Sequence, residues 1–247
     1  MIQRLEELSI NAWPATQTLL YDGWVLRLAS GYTRRANSVN PLYPSTLDVD
    51  QKLETCRSFY RSRGLPLIIK LTSAVYPSNL DGLLAERGFQ HEALTSMQTL
   101  DLNGLGPCGE GRGSLLLYPG FSEDWLDDFY RISQSPGTNR AAHRAILQNL
   151  IQDAAYCTLR VGGQAAACGL AVLEDGYLGV YDVATHPEYR RQGCALRVMQ
   201  NLLSWGKERG ARSAYLQVMK NNPPALNLYA RLGFREQYVY WYRVHRQ

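Results

Sequence analysis

The segment VATHPEYRRQGCALRVMQNLL, residues 183–203, decides the fold of this chain. It ends an apolar strand, passes through a turn containing Arg190, Arg191 and Gln192, and enters a helix with apolar residues at helical spacing. The first turn of a helix leaves backbone N–H groups without intrahelical partners, and the helix dipole adds positive charge there. Because Gly193 and Ala195 add little bulk, the turn predicts a pyrophosphate site. The two arginines alone also fit a solvated pair on a loop.

Apolar periodicity and turn residues predict the order βααβββαβαβ for residues 114–244. Gly162 and Gly163 join two apolar runs and indicate a hairpin. Ser122 marks a helix start, and Gly210 and Gly233 mark helix ends. The predicted strands are 114–118, 155–161, 165–173, 177–185, 214–219 and 238–244. One predicted helix starts at Ser122, and the others span 139–152, 193–209 and 223–232.

Two segments of the chain share a plan. Residues 64–89 and 210–234 each run from a Gly through an apolar strand, a polar turn with Pro and an amphipathic helix to Gly-Phe. Each follows an amphipathic helix and precedes a strand. The pattern indicates an internal duplication, with a generic strand-helix-strand unit as the alternative. In either case the first half of the chain is predicted to be α/β as well.

Residues 183–203 and the later stretch NNPPALNLYARLGF, residues 221–234, together resemble the GCN5-related N-acetyltransferase family. The family hallmark is Arg/Gln-x-x-Gly-x-Gly/Ala after its fourth strand, and Arg190, Gly193 and Ala195 occupy the defining positions. The resemblance covers the second half of the chain. It implies the acyl-CoA N-acyltransferase fold, an α/β fold with a mixed, mostly antiparallel central sheet flanked by helices. It also implies acetyltransferase activity of EC class 2.3.1, with acetyl-CoA as co-substrate.

The resemblance further implies where acetyl-CoA binds. Strands 177–185 and 214–219 splay apart in the family, and pantetheine pairs with strand backbone, here near Val183 and Thr185. Asn222 matches a family Asn that orients the cofactor arm, although a helix N-cap beside Pro223 explains it equally well. The implied binding residues are Val183, Ala184, Thr185, Arg190, Arg191, Gln192, Gly193, Cys194, Ala195, Asn222 and Tyr229.

Tyr229 is the strongest catalytic candidate, because it falls where the family places the Tyr that meets the thioester sulfur. A phenol with an ordinary pKa near 10 stays protonated at neutral pH and is able to protonate the departing thiolate. Without the motif, a Tyr packed in the core is the simpler interpretation. The corresponding residue of the first repeat is Leu84, and that half lacks the glycine turn, so it is predicted to be non-catalytic.

The base that deprotonates the amine is not fixed by the sequence. Many family members carry a carboxylate four residues before the position of Val183, where this chain has Gly179. Strand alternation puts Tyr181 on the face of Gly179 and points Asp182 to the other side. Glu174, at the preceding turn, is a further candidate for the base. The alternative interpretation is that Glu174 is a solvent-exposed acidic residue of the turn. A water relay is the expected route.

The expected organisation is an N-terminal degenerate α/β domain over residues 1–103, a Gly-rich linker at 104–112 and the catalytic domain over 113–247. The stretch DGWVLRLASGYTRRANSVNPLYP resembles the start of a family subgroup that carries an appended N-terminal domain. Its cluster of Arg34, Arg35, Asn37 and Asn40 predicts an acceptor-binding face, with a solvent-facing strand edge as the alternative.

Composition narrows the class of protein. A net charge of +4 suits an anionic ligand and falls short of a nucleic-acid footprint. Five Cys without paired short spacings predict neither disulfides nor a zinc site, and no metal triad accompanies His143 or His186. Without a signal peptide or a long apolar run, we expect a cytoplasmic protein that binds no membrane. The expected assembly is a monomer or homodimer.

These observations predict an N-acetyltransferase that moves an acetyl group from acetyl-CoA to a primary amine, with the N-terminal domain shaping acceptor choice. The alternative is a non-catalytic acyl-CoA sensor or partner-binding module, which Gly179 at the usual carboxylate position favours.

Overall fold

The computed structural model describes residues 1–104, 106 and 112–245. The predicted linker at 104–112 falls mostly outside these residues, as does Cys108. The chain divides into two units. The first comprises residues 1–96, 219–221 and 238–245, and the second comprises residues 97–218 and 222–237.

The helices are α1 Ile2–Asn11, α2 Val49–Arg61, α3 Leu80–Glu86, α4 Glu123–Ser133, α5 Arg140–Gln148, α6 Cys194–Glu208 and α7 Pro223–Arg231. The strands are β1 Gln17–Tyr21, β2 Trp24–Leu28, β3 Val39–Pro41, β4 Leu67–Leu71, β5 Gln90–Asp101, β6 Ser114–Tyr118, β7 Asp153–Val161, β8 Gln164–Glu174, β9 Tyr177–Thr185, β10 Ser213–Met219 and β11 Arg235–His245. The predicted order of the second half is confirmed, and its second helix ends at Gln148 rather than at residue 152.

The second unit has the mixed, mostly antiparallel sheet that the sequence predicts. Strands β6, β7, β8 and β9 pair antiparallel in sequence order, and β10 then pairs parallel to β9. The hairpin between β7 and β8 turns at Gly162 and Gly163, which both have positive φ. The parallel pair needs a crossover, and α6 provides it.

One face of this sheet packs on α6. Helix residues such as Val198 and Leu202 are fully buried in one apolar cluster with Cys157 of β7 and with Leu178 and Val180 of β9. Since side chains alternate along a strand, Gly179 and Tyr181 face the other way.

Helix α4 covers that opposite face. The hydroxyl of its N-cap Ser122 accepts a hydrogen bond from the backbone N–H of Trp125, and the sequence predicts this helix start from Ser122. The Trp125 indole donates to the Cys157 carbonyl at 3.1 Å, and its ring packs edge-on against Tyr156 with centroids 5.0 Å apart. Tyr156 is the α4-side neighbour of Cys157 on β7, so the strand contributes alternately to both faces.

Strand β9 carries a bulge at Asp182. The register with β8 shifts here, so that Asp182 and Val183 together stand opposite Gly169, and Asp182 has a φ of +50°. Val183 packs against the α6 cluster, while the Asp182 carboxylate reaches α5. The alternation prediction, which separated Asp182 from the face of Tyr181, is therefore wrong. An extra residue in a strand re-aims the side chains that follow it.

The first unit is built from β1, β2, β3 and β4 with the end of β11. The first three strands pair antiparallel, β4 pairs parallel to β3, and residues Trp241–His245 pair antiparallel to β4. Helix α2 connects the parallel pair, as α6 does in the second unit. The core of this unit includes Trp24, Leu53, Tyr60 and Ile69, all buried. The first half is thus α/β, as predicted.

The two repeated segments have the same local structure. Phe89 N–H donates to the Leu84 carbonyl at 3.0 Å, and Phe234 N–H donates to the Tyr229 carbonyl at 3.0 Å. The glycines that precede the two phenylalanines, Gly88 and Gly233, both have positive φ. Leu84 and Tyr229, which the sequence predicts to be equivalent positions, therefore accept equivalent backbone hydrogen bonds.

Within the described residues, no helix is long and apolar enough to cross a membrane. Cys56, Cys157, Cys168 and Cys194 are free thiols. The residues that the structure covers contain no His/Cys/Asp/Glu group suited to a metal ion.

Candidate active site

Strands β9 and β10 of the second unit stop pairing partway along their length, and the gap beyond that point is called the cleft. Their paired register runs from Tyr177 with Ser213 to Val180 with Leu216, and within the described residues it includes no later pair. Beyond that point lie Val183, Ala184 and Thr185, which are partly exposed, while Ala184 and Thr185 keep their pairing with β8. The separation leaves one edge of β9 facing the cleft. This is the predicted place for an extended ligand chain.

At the end of β9, the turn before α6 presents backbone amides. Arg191 has a φ of +59° and Gly193 a φ of +79°, so the chain bends sharply as it enters the helix. A Cβ added at Gly193 would meet no atom within 4 Å, which means that the space above the turn is open. Cys194 and Ala195 begin the helix, where N–H groups lack intrahelical acceptors. The residues present fit a pyrophosphate.

Side chains of the turn hold its shape and charge. Arg190 Nε donates to the Thr185 carbonyl at 3.4 Å, and Gln192 Nε2 donates to the Glu188 carbonyl at 2.8 Å. Arg191 is exposed. Cys194 is buried, and burial raises the pKa of its thiol, so this side chain is neutral under the turn. Positive charge therefore comes from the arginines, the helix dipole and the backbone amides.

Helix α7 carries Asn222 and Tyr229, the two remaining predicted cofactor-binding residues. Asn222 is its N-cap, and the Asn222 Oδ1 accepts from the Ala225 N–H at 3.3 Å. Tyr229 is 9% exposed and packs edge-on against Phe234, with ring centroids 6.0 Å apart. Burial raises the pKa of Tyr229 to about 12. The phenol therefore stays protonated across the neutral range, as a general acid requires.

Tyr181 forms a buried hydroxyl pair over Gly179. Its hydroxyl donates to the Tyr215 hydroxyl at 3.1 Å, and the two rings meet edge-on. A Cβ at Gly179 would lie 2.6 Å from the Tyr215 hydroxyl oxygen and 2.7 Å from Tyr181 Cε2. Glycine at this position is therefore required by the two tyrosines, which occupy the space that a longer side chain would need.

Gly179→Ala is expected to lower the free energy of unfolding by about 1–3 kcal/mol, because the added methyl overpacks the tyrosine pair. Gly137→Ala is the matched control, since a Cβ at Gly137 meets nothing within 4 Å. Urea denaturation of both variants measures the difference. Equal stability of Gly179→Ala and the unsubstituted protein would show that the tyrosines move aside freely.

A contact that sequence reasoning missed joins His143 of α5 to Asp182. The His143 Nε2 lies 2.9 Å from the Asp182 Oδ2. The histidine side chain is fully buried, and the aspartate side chain is 8% exposed. No local sequence signal places the two together, because the bulge in β9 brings Asp182 to the helix side. The pair lies beside the separation of β9 and β10.

A family model described as "Probable histone acetyltransferase Rv0428c C-terminal" matches residues 1–243. The chain belongs to this family of GCN5-related N-acetyltransferases. The whole acetyltransferase is similar to "Uncharacterized N-acetyltransferase YobR" from Bacillus subtilis, with 28% identity over 252 residues and 99% of each chain covered. A shorter stretch is 32% identical over 80 residues to the [ribosomal protein bS18]-alanine N-acetyltransferase of Escherichia coli, covering 32% of this chain and 53% of that protein.

Solved structures bear out the fold. A GCN5-related N-acetyltransferase from Kribbella flavida has a TM-score of 0.75 with 18% identity, covering 99% of this chain and 95% of that one. A tandem GNAT protein from the clavulanic acid biosynthesis pathway has a TM-score of 0.69 with 12% identity, covering 97% of this chain and 87% of that one. The α/β acyltransferase fold predicted from residues 183–203 and 221–234 is confirmed.

Glu174 lies at the opposite end of β9 from the cleft. It pairs with Tyr177, and its Oε2 accepts from Gln152 Nε2 at 3.2 Å. A strand rises about 3.3 Å per residue, which puts Val183 roughly 20 Å along the strand from Tyr177. The structure of the acetyltransferase therefore brings Tyr181 next to the cleft and leaves Glu174 at the hairpin end.

The predicted acceptor cluster lies in the first unit and braces a loop. The Asn37 side chain is buried, accepts from the Ala29 and Gly31 N–H groups at 2.8 and 2.9 Å, and donates to two carbonyls of the same loop. Asn40 is buried and donates to the Ser38 carbonyl at 3.0 Å. Arg34 forms an ion pair with Glu92, and Arg35 stacks over Trp13. These contacts bury the two asparagine side chains, whereas the two arginine side chains stay partly exposed.

The turn of the first unit that corresponds to the pyrophosphate turn is filled by its own carboxylates. Asp22 accepts from the Thr46 and Leu47 N–H groups at 3.0 and 2.9 Å, and these backbone bonds hold the pKa of its carboxyl well below the usual range. Asp48 caps α2 by accepting from Asp50 and Gln51. Amides that would bind a phosphate therefore already have anionic partners.

Proposed function

We propose that the second unit transfers an acetyl group from acetyl-CoA directly to a primary amine. The observation that carries the proposal is the combination of open amides at Gly193 with the separation of β9 and β10 beyond Val180. This arrangement offers a pyrophosphate cradle and a cleft for the pantetheine arm on consecutive residues. Arg190, Arg191 and Gln192 add positive charge and hydrogen-bonding side chains around the cradle.

Within this proposal, the chain aligns an amine with a thioester and manages two protons. Holding the two reactants together contributes up to about 7–11 kcal/mol in favourable cases. Backbone N–H near Val183 polarises the thioester carbonyl. The amine nitrogen forms a bond to the carbonyl carbon, the carbon–sulfur bond breaks, and Tyr229 supplies the proton that the thiolate takes up.

We propose that the first unit does not catalyse and instead shapes acceptor choice. The carboxylates of Asp22 and Asp48 at its turn support the non-catalytic part, as does Leu84 at the position of Tyr229. The buried Asn37 and Asn40 side chains, each hydrogen-bonded to nearby backbone, support a preformed loop rather than an adaptable one. Any acceptor contact in this unit then falls to the arginine side chains, which are partly exposed.

A second candidate is an acyl-CoA sensor without turnover. The observation that favours it is Gly179, since the Tyr181 and Tyr215 pair fills the place where a strand carboxylate would stand. A sensor needs the pyrophosphate site at Gly193, but it needs neither a base for the amine nor the Tyr229 hydroxyl.

The two candidates differ in one measurement. The full chain is incubated with acetyl-CoA and a panel of amines, and free thiol is followed over many turnovers. The panel includes a polyamine, an aminoglycoside, amino acids, a lysine peptide and a peptide with N-terminal alanine, and calorimetry measures CoA binding. Sustained thiol release with any amine supports the transferase. Binding of CoA without release supports the sensor, and absence of CoA binding overturns both.

A further inference from the structure

The buried pair formed by His143 and Asp182 lies on the α4 and α5 face of the sheet, close in sequence to the end of the β9–β10 pairing. Its two side chains come from different elements, one from α5 and one from the bulge in β9, and lie 2.9 Å apart. The Phe129 ring packs edge-on against the His143 ring with centroids 5.0 Å apart, which fixes the imidazole. Burying a carboxylate costs free energy unless a partner hydrogen-bonds to it, and His143 is that partner for Asp182.

The position of Asp182 follows from its backbone. A φ of +50° is uncommon for a residue with a side chain, although Asp and Asn tolerate it better than most. Such strained residues cluster at functional sites. The strain here turns the carboxylate towards α5, one residue before Val183 at the cleft. Asp182 also lies two residues beyond Val180, the last β9 residue paired with β10.

Exposure distinguishes the two members of the pair. The His143 side chain is 0% exposed and the Asp182 side chain 8% exposed, so only the aspartate keeps accessible surface. The groups that surround them are largely neutral: burial raises the pKa of the Tyr156 hydroxyl and of the Cys168 thiol. The titratable groups facing the pair are Tyr130 of α4, Tyr156 of β7 and Cys168 of β8. Asp128 of α4 also acts on Cys168 and is ion-paired with Arg160 at 2.7 Å.

We propose that Asp182 accepts the proton from the attacking ammonium, and that His143 is a positioning residue that holds the carboxylate. This inference rests on the proposed transferase function. The ammonium N–H proton passes to the Asp182 carboxylate, and the free amine attacks the acetyl carbon as the carbon–sulfur bond breaks. The nitrogen then loses its second proton to water as the amide forms. Tyr229 protonates the thiolate and is reprotonated from water, and Asp182 returns its proton to solvent. The net change is one amide, one thiol and one proton released.

The test compares Asp182→Asn with the unsubstituted enzyme over pH 7 to 10, using an amine that the enzyme turns over. Asparagine tolerates the positive φ and keeps a hydrogen-bonding partner for His143, so the fold is retained. We expect kcat to fall about 30-fold at pH 7, with the KM for acetyl-CoA unchanged within twofold. The loss shrinks to about threefold or less at pH 10, because more of the amine arrives deprotonated.

His143→Gln tests the positioning role. If the two residues act as one unit, the double variant Asp182→Asn with His143→Gln loses no more activity than Asp182→Asn alone. Asp153→Asn, an exposed acid at the start of β7, is the control and keeps the pH profile of the unsubstituted enzyme. Circular dichroism confirms that each variant is folded.

The outcomes separate the two proposals. Sustained turnover by the unsubstituted enzyme together with an Asp182→Asn loss that stays constant across pH would overturn the proton-acceptor role and leave the transferase standing. Absence of turnover with every amine would overturn the transferase and this role with it. A loss of kcat in Asp182→Asn that becomes smaller as the pH rises supports both the transferase function and the proton-acceptor role.

Discussion

Gly193→Glu is expected to weaken acetyl-CoA binding by about 1,000-fold, which corresponds to about 4 kcal/mol. The substitution combines three effects at one place. A side chain fills the open space above the turn, a carboxylate faces the phosphates, and a residue with a Cβ has to adopt the φ of +79°. Calorimetric titration of CoA measures the loss, and turnover at limiting acetyl-CoA falls in parallel.

Gly210→Glu is the matched control for this prediction. Gly210 follows the other end of α6, has a φ of +88°, and is likewise open, with nothing within 4 Å of an added Cβ. The control therefore introduces the same charge and the same backbone strain away from the cradle, and CoA affinity should stay within about twofold of the unsubstituted value. If Gly193→Glu bound CoA with the affinity of the unsubstituted protein, this turn would not be the pyrophosphate site.

The elements around the cleft were predictable because their signals are local. The strand-turn-helix of residues 177–208, the hairpin at Gly162 and the helix starting at Pro223 each depend on neighbouring residues. Periodicity and turn chemistry encode such features directly. The correspondence between Leu84 and Tyr229 was also readable, because Gly-Phe follows both helices at the same spacing.

What the sequence concealed depends on non-local pairing. The end of β11 pairs with β4 of the first unit, and no periodicity within residues 235–245 identifies that partner. The bulge at Asp182 is hidden for a related reason. An extra strand residue appears only when the strand is aligned with β8, and until then strict alternation sends Asp182 to the wrong face. The sequence identifies no partner for His143 for the same reason, since the bulge is what brings Asp182 to it.

The remaining site assignments differ in what the structure adds. At Gly179 the sequence predicts no side-chain base, and the contacts give the physical cause, since the Tyr215 hydroxyl and the Tyr181 ring fill the space. The reading of Asn37 and Asn40 as acceptor residues stays a prediction. The Asn37 side chain bonds to backbone of its own loop and the Asn40 side chain to the Ser38 carbonyl, which is a sufficient physical reason for polar residues there.

Tyr229→Phe is expected to lower kcat about 100-fold while leaving the affinity for acetyl-CoA within about twofold. Phenylalanine keeps the ring that packs against Phe234 and removes only the hydroxyl. Because burial raises the pKa of Tyr229 to about 12, the phenol stays protonated from pH 7 to pH 10. The ratio of the unsubstituted kcat to the Tyr229→Phe kcat should therefore be constant over this range. For Asp182→Asn the same ratio becomes smaller as the pH rises.

This difference in pH dependence assigns the two protons separately. A general acid is present in the same state at every pH below its pKa, so deleting it costs the same factor throughout. A general base matters less as solution deprotonates the amine in its place. Tyr177→Phe, at the far end of β9, is the control and should match the unsubstituted enzyme. If Tyr229→Phe retained full kcat, thiolate protonation would pass to solvent, and Tyr229 would be a packing residue of α7.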